Sequence, residues 1–161
     1  MDIKNVLVPT DFSQPSTIAL DYGVALARQL RAQLTLLHLL EPLPVVEITT
    51  AADMVTVEKG RRESAMEQLG NLVAPEDKDD LNLRIVLKTG NPRKEIATAV
   101  EELHADLVVL GTSGRGRLGR LLLGSTTAAL LRRLQAPILT VCHVSSPREI
   151  KRILFATDLS E

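Results

Sequence analysis

Short apolar runs and amphipathic stretches alternate along this chain, and the alternation predicts its architecture. Residues 4–10, KNVLVPT, form a Val- and Leu-rich run that ends in Pro9-Thr10 and reads as a strand buried on both faces. Ser13 and Pro15 then mark a helix start, and Ile18, Tyr22, Ala25, Leu26 and Leu30 recur at helical spacing. Residues 33–40, QLTLLHLL, repeat the strand pattern, and Pro42 and Pro44 predict a loop over 41–51. Residues 53–73 predict a helix with its charges on one side, and 74–80, APEDKDD, a polar turn. A third strand is expected over 83–90. Pro92 opens a helix through Ile96, Ala99, Val100 and Leu103, and a fourth strand follows over 105–111. A glycine-rich loop at 111–124, a helix over 125–134 and a fifth strand over 136–144 complete the pattern.

Strand followed by helix, repeated, predicts the α/β class. The expected architecture is a doubly wound, five-stranded parallel sheet in order 3-2-1-4-5, with helices on both faces. Ligands of such sheets bind outside the carboxyl ends of the strands, where the winding reverses. Only two strand ends combine polar groups with tight-turn residues: Pro9-Thr10-Asp11 after the first strand and Gly111 onward after the fourth. Those two ends are the expected switch-point pair.

Composition narrows the function classes. For 161 residues one domain with a real core is the expectation, and 45% hydrophobic and 24% charged content fits a globular chain. A net charge of −1 removes the electrostatic case for nucleic-acid or anionic-membrane binding. Aromatics are 2% of residues, so base-stacking platforms are not expected. The single cysteine, Cys142, sits in an apolar run, where it reads as a small buried hydrophobe. No disulfide framework can form within the chain, which fits a reducing, cytoplasmic setting. Neither a signal peptide nor a membrane span is legible.

The strongest chemical signal is the glycine loop. Gly111, Gly114, Gly116, Gly119 and Gly124 fall close together, and glycine lets backbone amides close on a phosphate without a Cβ in the way. Gly124-Ser125 immediately precedes a helix, whose first amides suit an anion, and Ser125 is placed to cap it. Arg115, Arg117 and Arg120 add positive charge. The P-loop sequence is absent. A G-x-G-x-x-G run, Gly114 to Gly119, follows the fourth strand rather than the first, which makes it weak evidence for a dinucleotide fold.

Gly111-x2-Gly114-x9-Gly124-Ser125, lying between a VVLG strand and a helix with an APILTV strand, resembles the ATP-binding signature of the universal stress protein family. LVPTDFS and LLHLL resemble that family's first two strands, and the likeness runs over 3–144. The resemblance implies an adenine-nucleotide alpha-hydrolase-like fold and a nucleotide-responsive stress regulator that binds ATP, or AMP or ADP. It implies that Pro9, Thr10 and Asp11 meet adenine and ribose and that Leu39 lines the adenine pocket. It gives ribose and phosphates to Leu110, Gly111, Gly114, Gly124, Ser125 and Thr126, with Arg115 as a phosphate contact. Asp11 serves either the ribose or a Mg²⁺ ion. Family members pair through the last strand, which implies a homodimer, or docking on a second domain of the same chain.

Each residue also has a plainer reading. Asp11 could only cap the first helix, and Thr10 could be a strand-end hydroxyl. His38 lies inside an apolar strand and reads as structural, while His104 and His143 offer no metal spacing. The arginines of the loop could be a solvated face. The apolar Leu121-Leu122-Leu123 triplet reads as packing, and the charged runs at 61–63 and 76–80 as solvated surface. No general base with an orienting partner and no nucleophile elbow is visible, so at most slow ATP hydrolysis is expected. Two rival readings stand: an adenylating or ATP-hydrolysing enzyme of a related fold, whose SGG-x-DS and HIGH-type motifs are missing, and a nucleotide-free interaction module.

Finally, residues 150–160, IKRILFATDLS, repeat residues 3–13, IKNVLVPTDFS. Ile3, Lys4, Leu7, Thr10, Asp11 and Ser13 recur as Ile150, Lys151, Leu154, Thr157, Asp158 and Ser160. The expected organisation is a nucleotide-binding domain over 1–145, a linker over 146–149 and the first strand of a truncated second copy over 150–161, as in tandem members of the family.

Overall fold

Residues 2–43, 51–112 and 124–142 are described in the computed structural model. The elements are, in chain order, β1 (Asn5–Thr10), α1 (Gln14–Leu30), β2 (Gln33–Leu40), α2 (Ala51–Asn71), α3 (Pro75–Asp80), β3 (Arg84–Thr89), α4 (Pro92–Glu102), β4 (Leu107–Gly111), α5 (Ser125–Leu131) and β5 (Ile138–Val141). The strands form one five-stranded sheet in order β3-β2-β1-β4-β5, and every pairing is parallel. Fold class and strand order agree with the sequence pattern.

Strand alternation divides the apolar side chains between two faces. Val6 and Val8 of β1 and Leu34 and Leu36 of β2 pack with Leu20 and Leu26 of α1 and Leu69 of α2. Leu7, Leu37 and Val108 point the other way, onto Ile96, Ala99 and Val100 of α4 and Leu130 of α5. Each fully buried leucine contributes about 2 kcal/mol by transfer from water. α1 lies close against β1 because Gly23 faces it: a Cβ there would sit 2.5 Å from Val8 Cγ2.

Helix ends follow local chemistry. α1 stops at Arg31, which takes the left-handed conformation (φ 54°) while the Ala32 amide donates back to the Ala27 carbonyl at 2.9 Å. α4 starts with Asn91, whose side chain accepts from the Arg93 amide at 3.0 Å, and Pro92 supplies the fixed φ of the first turn.

Three expectations change. Residues 75–80 form the short helix α3 rather than a polar turn. Pro75 opens it, Asp77 pairs with Arg28 of α1, and Lys78 Nζ donates to the Gly70 carbonyl at 2.6 Å. Asp77 and Lys78 are therefore half-buried ties between helices, not solvated surface. Similarly, Arg61 is half-buried and donates to the Glu41 carbonyl at 3.0 Å, joining α2 to the end of β2. Cys142 is exposed, because β5 ends at Val141 and the cysteine steps off the sheet. Among the described residues no helix is long and apolar enough to cross a membrane.

Candidate functional site

Pairing between β1 and β4 is confined to Val6–Leu107 and Leu7–Val108. β1 nevertheless stays paired with β2 as far as Thr10–His38, and β4 with β5 as far as Gly111–Val141. The two central strands therefore part toward their carboxyl ends, at the point where the strand order reverses. A cleft of about 440 Å³ opens there.

Pro9, Thr10 and Asp11 line one wall of the cleft. Leu110 and Gly111 line the other, with Gly124, Ser125 and Thr126 from the start of α5. Leu37 and Leu39 of β2, with Pro92 and Ile96 of α4, supply an apolar side. The nine expected site residues that are described thus converge on one cleft. Gly114 and Arg115, together with Arg117, Arg120 and the leucine triplet, lie outside the described residues.

A tight hydrogen-bonded loop positions the first wall. Thr10 and Ser16, both buried, share a hydroxyl–hydroxyl bond of 3.0 Å. The Phe12 amide donates to Thr10 Oγ1 at 3.1 Å. Phe12 takes a left-handed backbone (φ 61°), which costs a bulky residue about 1–2 kcal/mol. Two contacts offset that cost. Its ring lies against His38, with centroids 4.3 Å apart, and His38 Nδ1 bonds the Thr10 carbonyl at 2.8 Å. His38 is accordingly structural. The Ser13 carbonyl accepts from the Ser16 hydroxyl at 2.8 Å and from the Thr17 amide at 3.0 Å.

This loop presents Asp11 at the rim. Its Oδ1 accepts from the Ser13 amide at 3.0 Å and from the Ser13 hydroxyl. The residue at the helix cap is Ser13, whose own side chain makes no capping bond, so Asp11 braces the turn ahead of α1 rather than capping the helix. Partial burial pushes its carboxyl pKa up, but hydrogen bonds from Ser13 and Ser16 outweigh that and hold it below the ordinary aspartate value. Asp11 is therefore an anion at neutral pH.

The second wall is equally braced. Thr127 Oγ1 donates to the Gly111 carbonyl at 3.3 Å, and the Thr112 amide and hydroxyl both reach the Val141 carbonyl, at 3.0 and 3.2 Å. Gly111 has a packing reason to be glycine. A Cβ would lie 2.2 Å from the Pro15 carbonyl oxygen and 3.0 Å from the Ser16 nitrogen. The first turn of α1 thus rests directly on the end of β4. Ser125 does not cap α5, as sequence position had implied: Gly124 occupies the cap, and Ser125 is the first helical residue, with its hydroxyl exposed in the cleft.

Sequence reasoning missed Ser13, Pro15, Ser16, Leu37, Glu41, Pro92, Ile96 and Thr127 among the cleft residues. Ser16 carried a usable signal, since it is a polar residue in the buried stripe of α1 with Ala19, Leu20 and Gly23. Pro92 and Ile96 carried none, because only the crossover of α4 brings them to the cleft. Among the described residues no group of three His, Cys, Asp or Glu side chains could hold a metal ion.

Comparison with known proteins extends this geometry. Universal stress protein MJ0531 of Methanocaldococcus jannaschii is 25% identical over 138 residues, covering 86% of this chain and 81% of its own. A universal stress protein of Mycolicibacterium smegmatis is 30% identical over 141 residues, covering 84% of this chain but 47% of its own. A solved universal stress protein in complex with cAMP superposes with a TM-score of 0.63 at 22% identity, covering 88% of this chain and 98% of that one, which shows a shared fold. The universal stress protein family model matches residues 2–142, from the first strand to the last, so the chain belongs to the universal stress protein family.

Proposed function

We propose that this chain binds an adenine nucleotide, ATP or else AMP or ADP, in the β1/β4 cleft and acts as a nucleotide-responsive stress regulator of the family's ATP-binding branch. The observation that carries the reading is the convergence of Thr10-Asp11 and Gly124-Ser125-Thr126 on one switch-point cleft with an apolar side. Each part has a matching chemistry. Leu39, Leu37, Pro9 and Ile96 offer an apolar bed for a base. The Asp11 carboxylate suits a ribose diol as acceptor. Hydroxyls and amides at Ser125 and Thr126, with Leu110 and Gly111 beside them, suit a phosphate. Gly114 and Arg115 complete the phosphate end in this proposal. The described lining holds no lysine or arginine, which leaves the cationic part to the loop arginines. The cAMP complex of a related fold supports an adenosine-sized ligand. Mg²⁺ would enter with the nucleotide's phosphates, and an oxygen ligand role on that ion is the alternative to the ribose role for Asp11.

Titration calorimetry with AMP and ATP, with and without Mg²⁺, tests the reading. Binding is expected in the parent. Asp11→Ala should weaken it by about tenfold or more, the worth of a charge-assisted hydrogen bond. Gly114→Val should lose it with the circular dichroism spectrum retained. No heat with either nucleotide in the parent would refute the proposal.

Residues 150–161 are read as the start of a second copy, after a 146–149 linker, because they repeat β1 and its Thr-Asp. This chain matches 47% of the Mycolicibacterium smegmatis relative's length, which leaves room there for a further unit. β5 is an edge strand of the sheet, and we read it as the pairing surface for a second copy or a second domain.

A further inference from the structure

Three residues of the β2 line step along the apolar side of the cleft. Leu37, Leu39 and Glu41 alternate at strand spacing, so they share a face. Leu37 and Leu39 pack with the α4 side of the core, and Glu41, one residue beyond β2, stands at the outer end. The line therefore runs from apolar to acidic.

The main chain at that end is fixed. The Glu41 carbonyl accepts from Arg61 Nη2 at 3.0 Å, and the Leu40 carbonyl accepts from the Gly90 amide at 3.0 Å. Among the described residues the Glu41 carboxylate itself has no hydrogen-bond or ion-pair partner. Glu41 thus lines the cleft with its main chain anchored and, among the described residues, its carboxylate unpaired.

Polarity orients a nucleotide in this space. Hydroxyls and helix-start amides gather at Gly124–Thr126, and the aliphatic side chains gather at β2 and α4. Phosphate goes to the first end and the base to the second. A purine lying on Leu39 then turns its outer edge toward Glu41. A carboxylate only accepts hydrogen bonds, so it favours a base edge that bears an N–H donor. We propose that the Glu41 carboxylate accepts a hydrogen bond from the exocyclic 6-amino group, making Glu41 the base-selecting residue of the cleft. This inference rests on the nucleotide reading above.

A chemical double-mutant cycle tests it. The two ligands are AMP and purine ribonucleoside 5′-monophosphate, which differ only in the 6-amino group. The two proteins are the parent and Glu41→Ala, each measured by titration calorimetry. The parent should prefer AMP by about tenfold, equivalent to about 1.4 kcal/mol. In Glu41→Ala the preference should fall to within about twofold, through weaker AMP binding with the analogue unchanged. Glu41→Gln keeps an acceptor oxygen and should restore part of the preference. An unchanged preference in Glu41→Ala, an equal loss for both ligands, or a parent that favours GMP over AMP would each overturn the assignment. A parent that binds none of these nucleotides removes the nucleotide reading itself, an outcome distinct from binding without base selection.

Discussion

Replacing Gly111 by alanine tests whether this glycine serves packing. The added Cβ would meet the Pro15 carbonyl oxygen at 2.2 Å, its carbon at 2.4 Å and the Ser16 nitrogen at 3.0 Å. All three are backbone atoms at the start of α1, so no side-chain rotation can clear them. An ordinary contact requires β4 and the first turn of α1 to move apart by about 1 Å. That movement would also strain the 3.0 Å hydroxyl bond between Ser16 and Thr10, on which the Thr10-Asp11 wall depends. Overpacking against backbone in a dense core costs about 3 kcal/mol. For a domain of this size the melting temperature should fall by about 10 °C. Thermal and urea unfolding followed by circular dichroism would measure it. Gly60→Ala is the internal control: it lies inside α2 with nothing within 4 Å of its Cβ, and should stabilise by about 0.5–1 kcal/mol. A Gly111→Ala protein that unfolds at the parent's temperature and urea midpoint would refute the close-approach argument and leave ligand contact as the reason for the glycine.

Further outcomes follow from the Thr10–Ser16 loop and from the start of α4. Asp11 has a lowered pKa in the folded chain, so its ionised form stabilises the fold above the unfolded aspartate value of 3.8, and that contribution disappears as pH drops through the folded value. Urea midpoints should therefore show Asp11→Ala less stable than the parent at pH 7, with the gap narrowing as pH falls below 3.8; a gap that is constant with pH would contradict the hydrogen-bond account. Ser16→Ala leaves the buried Thr10 hydroxyl without one partner and should cost about 1–2 kcal/mol by urea unfolding. Asn91→Ala removes the α4 cap and should cost about 1 kcal/mol, whereas a neutral result would mean that Pro92 alone starts the helix.

Local pattern determined much of this protein. Val6-Leu7-Val8 and Leu34 to Leu37 announce strands buried on both sides, because a parallel sheet is covered by helices on each face. Pro15 and Pro92 mark helix starts through their fixed φ, and Thr10-Asp11 and Gly124-Ser125 stand out because polar and glycine residues end apolar runs. The order of elements then dictates the switch point and hence the place of the cleft. What tertiary structure alone decided lies in contacts between distant segments. Helix α3 is held partly by Arg28 of α1 and by the Gly70 carbonyl, so the polar composition of 75–80 misleads on its own. Cys142 looks buried in an apolar run but escapes at the end of an edge strand, since strand length depends on what the neighbouring strand offers. Ile96 and Glu41 reach the cleft only because α4 crosses the sheet and β2 lies beside β1. Gly111 is the clearest case. Its sequence context points to a ligand, while its need for the missing Cβ comes from Pro15, a residue far away in sequence that the fold brings to its backbone.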